Sequence, residues 1–169
     1  TALLLAVVWR HGIRALTLGL ALGCLLGGAL LLGGAFTLDG KPQQDRVDWQ
    51  PLSEQAITLA LAQNKRVFVD VTADWCITCK ANKFNVLLRD DVQQALSAPD
   101  VVALRGDWSR PSNTIASFLR QRGSVAIPFN QIYGPGLTDG EILSPLLDRS
   151  TLLATLAQAG IAPSQGETK

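Results

Sequence analysis

A Cys-x-x-Cys pair at a strand-to-helix junction is the feature that most limits what this chain can fold into. Cys76 and Cys79 lie in the stretch VFVDVTADWCITCKANKF, residues 67–84. The residues before the pair are β-branched and apolar, which is typical of a strand buried on both faces of a sheet. The residues after it favour a helix from Cys76 to about Leu88. The pair therefore stands where a buried strand ends and a helix begins.

Three kinds of chemistry are open to such a pair. A structural zinc site needs four Cys or His ligands, but no Cys or His follows Cys79, and the chain's one histidine is the distant His11. A purely structural disulfide would close a loop of only two residues, and short loops gain little stability. Thiol–disulfide exchange fits the spacing best, with the Cys76–Cys79 disulfide as redox centre and no further cofactor. A metal site shared with another molecule stays open.

Exchange chemistry assigns the two cysteines different roles. The first thiol has to be partly exposed and ionised in order to attack a partner disulfide. At a helix N-terminus, the free N–H groups and the helix dipole favour the Cys76 thiolate, and Lys80 adds positive charge one turn later. Cys79 lies within one helical turn of Cys76, which lets it attack the mixed disulfide and release the partner.

Residues 15–38 are a second constraint, because this stretch of 24 residues carries no charge. A helix of this length, at about 1.5 Å per residue, spans the roughly 30 Å hydrocarbon core of a bilayer. A cleaved signal peptide is the alternative, but the apolar run at 1–8 precedes the basic segment 9–14, where a signal peptide has none. We interpret 1–8 as the end of a preceding membrane helix, 9–14 as a short basic loop and 15–38 as a transmembrane helix. Because the chain contains no Met, we expect it to be the C-terminal part of a longer membrane protein.

The predicted membrane helix carries small residues at every fourth position, Ala15, Gly19, Gly23 and Gly27. Such a face lets helices approach closely in lipid, so we expect this helix to pack in a bundle. The alternative is that glycine is simply common in membrane helices. Cys24 lies beside the face and is interpreted as a small apolar residue.

Charge favours a soluble domain outside the cytoplasm. The loop before the helix holds Arg10, His11 and Arg14, and excess basic charge is typical of cytoplasmic loops. Lys41 and Arg46 follow the helix, but they begin a long domain, and long domains cross the membrane largely regardless of charge. The formal net charge of +1 gives no indication of a nucleic-acid partner.

The rest of the chain has the pattern of an α/β domain. Residues 39–51 are polar and hold two prolines, which predicts a linker, and residues 164–169 are predicted to be a flexible tail. Between them, 52–163 alternates helical and strand patterns in the order α, β, α, β, α, β, β, α. The last helix is expected to begin at Ser150 and to stop at Gly160. This order predicts a mixed sheet flanked by helices on both faces.

The stretch ADWCITCK resembles the thioredoxin-superfamily signature Trp-Cys-x-x-Cys-Lys. On this resemblance, Asp70 takes the place of a buried acid that transfers protons with the second thiol, and a buried carboxyl in an apolar strand has a raised pKa. An aspartate pointing outward at a strand edge is the alternative. Pro128, in AIPFN, takes the place of a cis-proline that faces the cysteines.

The positions of three tryptophans predict their roles. Trp75, directly before the pair, is expected to shield the site, with simple packing as the alternative. Trp49 and Trp108 are interpreted as packing residues.

A narrower resemblance covers the whole chain. A last membrane helix, a short linker and a domain with DVTADWCITCKANK resemble the C-terminal end of DsbD-type thiol:disulfide interchange proteins, and ITCKANK and IPFNQIYGPG resemble the ScsB, copper-tolerance branch. The resemblance implies a bacterial inner-membrane protein with this domain in the periplasm. Electrons would pass from cytoplasmic thioredoxin to a membrane cysteine pair, then to this domain, then through an N-terminal periplasmic domain to periplasmic disulfide proteins.

One residue departs from the DsbD pattern. Lys83 stands where these domains often carry a second acid, so the effect of that acid on the cysteines is in doubt. Two other functions stay open. One is a stand-alone, membrane-tethered reductase, for example in cytochrome c maturation, and the other is a copper-handling binding module.

Overall fold

Five strands form one mixed sheet in the computed structural model, which describes residues 44–161 of the chain. The strands are β1 Trp49–Pro51, β2 Arg66–Thr72, β3 Val101–Asp107, β4 Phe129–Gly134 and β5 Leu137–Ile142. Their order across the sheet is β1-β3-β2-β4-β5. The pairs β1/β3 and β2/β3 are parallel, whereas β2/β4 and β4/β5 are antiparallel. The α/β class and the mixed sheet predicted from the sequence are confirmed.

Helices cover both faces of this sheet. They are α1 Glu54–Ala62, α2 Ile77–Asn82, α3 Asp90–Leu96, α4 Asn113–Gln121 and α5 Arg149–Ala159. Helix α2 continues into a π-helical turn, Lys83–Leu87, in which the N–H of Leu88 bonds to the carbonyl of Lys83. Residues of α1 and α4 share one core cluster with the sheet, and residues of α3, α5 and the π-helical turn share the other.

The central strand β2 divides its side chains between these two cores. Successive side chains of a strand point to opposite faces, so Val67, Val69 and Val71 pack against α1 and α4. Phe68 packs on the face of α3 and α5. Asp70, two residues later, has the same orientation as Phe68. The one charged side chain in the middle of β2 is therefore directed into the sheet face that also carries the helix of the cysteine pair.

The strand register brings two more polar residues to this place. Asp70 is paired with Arg105 on β3 and with Asn130 on β4. All three are at equivalent positions of the pleat, so their side chains share one face. A cluster of three polar side chains therefore lies across three adjacent strands on this face of the sheet.

The prediction of a linker at residues 39–51 is wrong for the last residues of that range. Trp49–Pro51 form β1, which pairs with β3, and Val47 is buried. The pairing holds because β1 lies at the sheet edge, where the missing N–H of Pro51 is tolerated. Residues 39–43 of the predicted linker lie outside the described part.

Two boundaries also differ from expectation. Helix α5 is capped by Asp148, whose carboxylate accepts the N–H of Thr151 at 2.8 Å, and not by Ser150. The helical stretch that follows Cys76 breaks at Leu88 and Arg89 before α3 begins.

The predicted membrane segments 1–8 and 15–38, the basic loop 9–14 and the tail 164–169 lie outside the described residues. Within 44–161, none of the helices has the length and apolar character that a membrane crossing needs.

Candidate redox site

The two cysteines form a disulfide at the start of α2, with an S–S distance of 2.04 Å. Cys76 has an extended backbone and is the N-cap residue of α2. Its Sγ accepts a hydrogen bond from the backbone N–H of Cys79 at 3.1 Å. The Cys76 sulfur therefore lies against the first N–H groups of the helix, as the sequence predicted. An anionic sulfur is stabilised at this position.

Exposure does not distinguish the two cysteines, which corrects the expectation of a partly exposed first thiol. Cys76 is 6% exposed and Cys79 is 5% exposed in the disulfide. Both pack with Ala73 and the partly buried Ile127. What separates them is the helix N-terminus, which is directed at Cys76, and the cavity described below, which is lined by Cys79.

Once reduced, Cys76 should react faster with iodoacetamide than Cys79, by roughly tenfold at pH 7, because the N-terminal N–H groups stabilise its thiolate. The Cys79→Ser variant reports Cys76 alone, and the Cys76→Ser variant reports Cys79 alone. Alkylation rates measured between pH 5 and pH 9 provide the comparison. Identical profiles for the two variants would contradict the assignment of attacking and resolving roles.

Asp70 is buried in β2, so the alternative of an outward-pointing aspartate is wrong. Its Oδ2 accepts a hydrogen bond from the Nε of Arg105 at 3.0 Å and forms an ion pair with the Nη2 at 3.0 Å. Its Oδ1 accepts a hydrogen bond from the Nδ2 of Asn130 at 3.1 Å. Burial raises the pKa of Asp70, and the charge and hydrogen bonds of Arg105 offset this only in part. The direction is the one expected from an acid in an apolar strand.

A cavity of about 500 Å³ connects the acid to the second cysteine. Asp70, Cys79 and Arg105 line it together with Lys80 and Lys83. Water in such a space can carry a proton between a thiol and a carboxylate that are not in direct contact. Lys83, which replaces the second acid of the DsbD pattern, thus brings a cation to the wall next to Cys79.

A second groove adjoins the disulfide through Ile127, which packs against both cysteines. The Ile127–Pro128 peptide bond is cis, as the resemblance predicted. Trp75 is 62% exposed, so it is not a packing residue; it lines a groove of about 580 Å³ together with Trp108 and Ile127. Trp108 and Trp49 pack against the two core clusters, as predicted.

Sequence reasoning missed three members of the site. Arg105 and Asn130 contact Asp70, and Asp45 lies 3.4 Å from Arg105 on its other side. The signal in the sequence is a charged residue, Arg105, between the apolar run VVAL and Gly106. Within residues 44–161, the Oδ1 of Asn130 is buried without a hydrogen-bond partner.

Comparisons with known proteins point to one family. A family model described as thioredoxin-like matches residues 48–135. The thiol:disulfide interchange protein DsbD of Pseudoalteromonas atlantica is 26% identical over 130 residues, which cover 73% of this chain and 22% of that protein. The DsbD of Yersinia pestis is 30% identical over 100 residues, which cover 55% of this chain and 16% of that protein. The chain thus spans about a fifth of the length of these relatives.

Solved structures show the same fold. A thioredoxin from Thermus thermophilus superposes with a TM-score of 0.51 at 23% identity, covering 66% of this chain and 85% of that one. The oxidised C-terminal domain of Neisseria meningitidis DsbD superposes with a TM-score of 0.50 at 20% identity, covering 65% of this chain and 98% of that one.

Proposed function

The chain belongs to the thioredoxin-like family and carries a disulfide oxidoreductase domain related to DsbD, and on that premise we propose that it relays reducing equivalents from a membrane cysteine pair to periplasmic protein disulfides. One observation carries the proposal. The Cys76–Cys79 disulfide lies at a helix N-terminus, and its second sulfur shares a cavity with the buried Asp70. This arrangement supplies an attacking thiolate, a resolving thiol and a proton acceptor.

The first step is attack by the reduced pair. The Cys76 thiolate attacks one sulfur of a partner disulfide, that S–S bond breaks, and the other partner sulfur leaves as a thiolate that takes up a proton. A mixed disulfide now joins Cys76 to the partner. The exposed Trp75 and the groove that it lines with Ile127 adjoin the pair, and they offer a surface along which a partner polypeptide reaches the sulfur.

The second step releases the partner. Cys79 loses its thiol proton to Asp70 through the cavity and attacks the Sγ of Cys76. The bond to the partner breaks, its second sulfur leaves reduced, and the Cys76–Cys79 disulfide forms. Two electrons have moved to the partner. The membrane cysteine pair restores the domain by the same two steps in reverse, so the pair itself is the redox group.

The Asp70→Asn variant should slow the second step by about 100-fold and leave the first nearly unchanged, because an amide cannot take the proton from Cys79. Stopped-flow kinetics with a fluorescent disulfide peptide separates the two steps. Asp107→Asn is the matched control, since Asp107 lines the same cavity but is exposed. Unaltered rates for both steps in Asp70→Asn would give this residue a purely structural role.

The proposed partners follow from the likeness to DsbD. They are a membrane cysteine pair and an N-terminal periplasmic domain of the same protein, with cytoplasmic thioredoxin upstream and periplasmic disulfide proteins downstream. The location that fits them is the bacterial inner membrane, with residues 15–38 in contact with lipid and the redox domain in the periplasm. An ScsB-type protein is the narrower form of this proposal.

Redox equilibration with glutathione tests the core of the proposal. The purified chain should interconvert between the dithiol and the Cys76–Cys79 disulfide, and its reduced form should reduce insulin. Cys76→Ser should abolish both reactions. Parallel titration of thiols and of copper addresses the metal-handling alternative. Tight copper binding without disulfide exchange would favour that alternative and overturn the redox proposal.

A further inference from the structure

The segment that leads into β1 folds onto the sheet face that holds Asp70. The backbone N–H of Arg46 donates to the Oε1 of Gln93 on α3 at 2.6 Å, and Val47 is buried in the same core. Asp45 accepts hydrogen bonds from the indole N–H of Trp49 at 3.0 Å and from the Nε2 of Gln93 at 3.2 Å. With the backbone N–H of Val47, which donates to its Oδ1 at 3.3 Å, three groups fix the carboxylate of Asp45 in place, although it precedes the first strand.

Arg105 lies between this carboxylate and the redox site. Its Nη1 is 3.4 Å from the Oδ2 of Asp45, and its Nη2 is 3.0 Å from the Oδ2 of Asp70. The guanidinium stacks on the ring of Trp49, with its central carbon 3.6 Å from the ring centroid. A cation held by stacking on one side and by a carboxylate at each end has little freedom to move towards either carboxylate.

We infer that Asp45 and Trp49 are positioning residues of the redox site, because they hold Arg105 between two carboxylates and divide its charge between Asp45 and Asp70. The inference rests on the proposed role of Asp70 as proton acceptor for Cys79. The charge of Asp45 acts on Asp70 through Arg105. The segment before β1 therefore affects how readily Asp70 takes up a proton.

The direction of the effect follows from the charges. The negative charge of Asp45 opposes ionisation of Asp70 and draws part of the Arg105 charge away from it, so both contributions raise the pKa of Asp70. Hydrogen bonds from Trp49 and Gln93 and the charge of Arg105 outweigh the burial of Asp45 and hold its own pKa below the ordinary value. Asp45 is therefore ionised at the pH at which Asp70 titrates.

Other charged groups face Asp70 across the cavity and are not altered by a change at Asp45. They are Asp74, Lys80 and Lys83 near the cysteine pair, Asp107 at the end of β3, and the thiol of Cys79 in the reduced form. Asn130 contacts Asp70 from β4 without a charge.

The Asp45→Asn variant of the full chain tests the inference. Asparagine keeps an oxygen that accepts from Trp49 and Gln93 but removes the charge. The titration midpoint of Asp70, followed by carboxyl ¹³C NMR, should fall by roughly 0.5–1 pH unit. The pH midpoint of the resolving step, followed by stopped flow, should fall with it.

Two further variants serve as controls. Asp90→Asn removes a carboxylate on α3 that pairs at 2.6 Å with Arg46, the neighbour of Asp45. Because Asp90 does not contact Arg105, this variant should leave the NMR midpoint and the kinetic midpoint unchanged. Asp45→Glu restores the charge and should return both midpoints towards the wild-type values. Asp45→Ser also removes the charge and replaces Asp45→Asn as the test if that variant does not fold.

The outcomes separate this inference from the proposed function. If the titration midpoint of Asp70 is the same in wild type, Asp45→Asn and Asp90→Asn, the inference that Asp45 shares the charge of Arg105 with Asp70 is wrong. A lower NMR midpoint with an unchanged kinetic profile would support the division of charge and would instead remove Asp70 from the resolving step.

Discussion

Replacing Cys79 with alanine is expected to abolish turnover and to leave partner proteins covalently attached to Cys76. In the wild type, each mixed disulfide is short-lived because Cys79 lies one helical turn away and attacks at a high effective concentration. Without this thiol the Cys76–partner bond persists. A relay meets two partners through the same sulfur, so two different adducts should accumulate in the full-length protein.

Non-reducing gels followed by mass spectrometry of the linked peptides provide the measurement. The expected adducts join Cys76 to the membrane cysteine pair and to the N-terminal periplasmic domain. The double variant Cys76→Ala, Cys79→Ala is the control and should carry no adduct. If Cys76 is joined only to small thiols or to unrelated proteins, the intramolecular relay is wrong and a stand-alone tethered reductase becomes the better function.

Replacing Arg105 with methionine is expected to lower the free energy of unfolding at pH 7 by roughly 3–5 kcal/mol, because it leaves the buried carboxylate of Asp70 without its cation. The side chains of Arg105 and Asp70 are only 22% and 7% exposed, so solvent compensates for little of the loss. Urea unfolding followed by circular dichroism measures the change.

The loss should depend on pH in a defined direction. Burial raises the pKa of Asp70 above the ordinary 3.8, and removing Arg105 raises it further. A carboxyl with a raised pKa in the folded state binds more protons than in the unfolded state, so its cost to stability grows as pH rises through that window. The variant should therefore be closest to wild type near pH 4 and furthest from it at pH 7.

Two comparisons test the cause of the loss. Arg149→Met removes an exposed ion pair with Asp91 and should cost less than about 1 kcal/mol at either pH. Adding Asp70→Asn to Arg105→Met should recover part of the lost stability, because the unpaired buried charge is then gone. An equal loss for Arg105→Met and Arg149→Met would show that the buried pair contributes no more than a surface pair.

The parts of the site that the sequence predicted depend on local patterns. The continuous apolar run before Cys76 is typical of a buried strand, and the spacing of the two cysteines places them on one helical turn. Strands β2 and β3 were both predicted because each forms a nearly continuous apolar run. Resemblance supplied Asp70 and Pro128, which a local pattern does not distinguish from an edge aspartate and a strand-initial proline.

The contacts around Asp70 depend on the strand register, and local patterns do not give the register. Arg105 is 35 residues from Asp70 in the sequence, and Asn130 is 60 residues from it. Asp45 is 60 residues from Arg105. A residue that meets its partner across such distances shows no periodicity that includes both, so these residues were missed.

The predictions of strand β1 and of the N-cap of α5 were wrong for a different reason. Strand β1 has only three residues and ends in Pro51, which is too short for an alternating pattern and contains a residue that is typical of linkers. At α5, Asp148 and Ser150 are both good N-cap residues, and only the position of the first helical turn selects between them.

The two edges of the sheet have a consequence for self-association. An edge strand with free N–H and C=O groups is a template on which a second copy of the chain can add a strand. Here β1 offers only three residues and ends in a proline. At the other edge, β5 carries the exposed Asp139 and Glu141 around Gly140, which has a φ of 78°. Within the described residues, neither edge of the sheet therefore favours strand-to-strand pairing between copies of this domain.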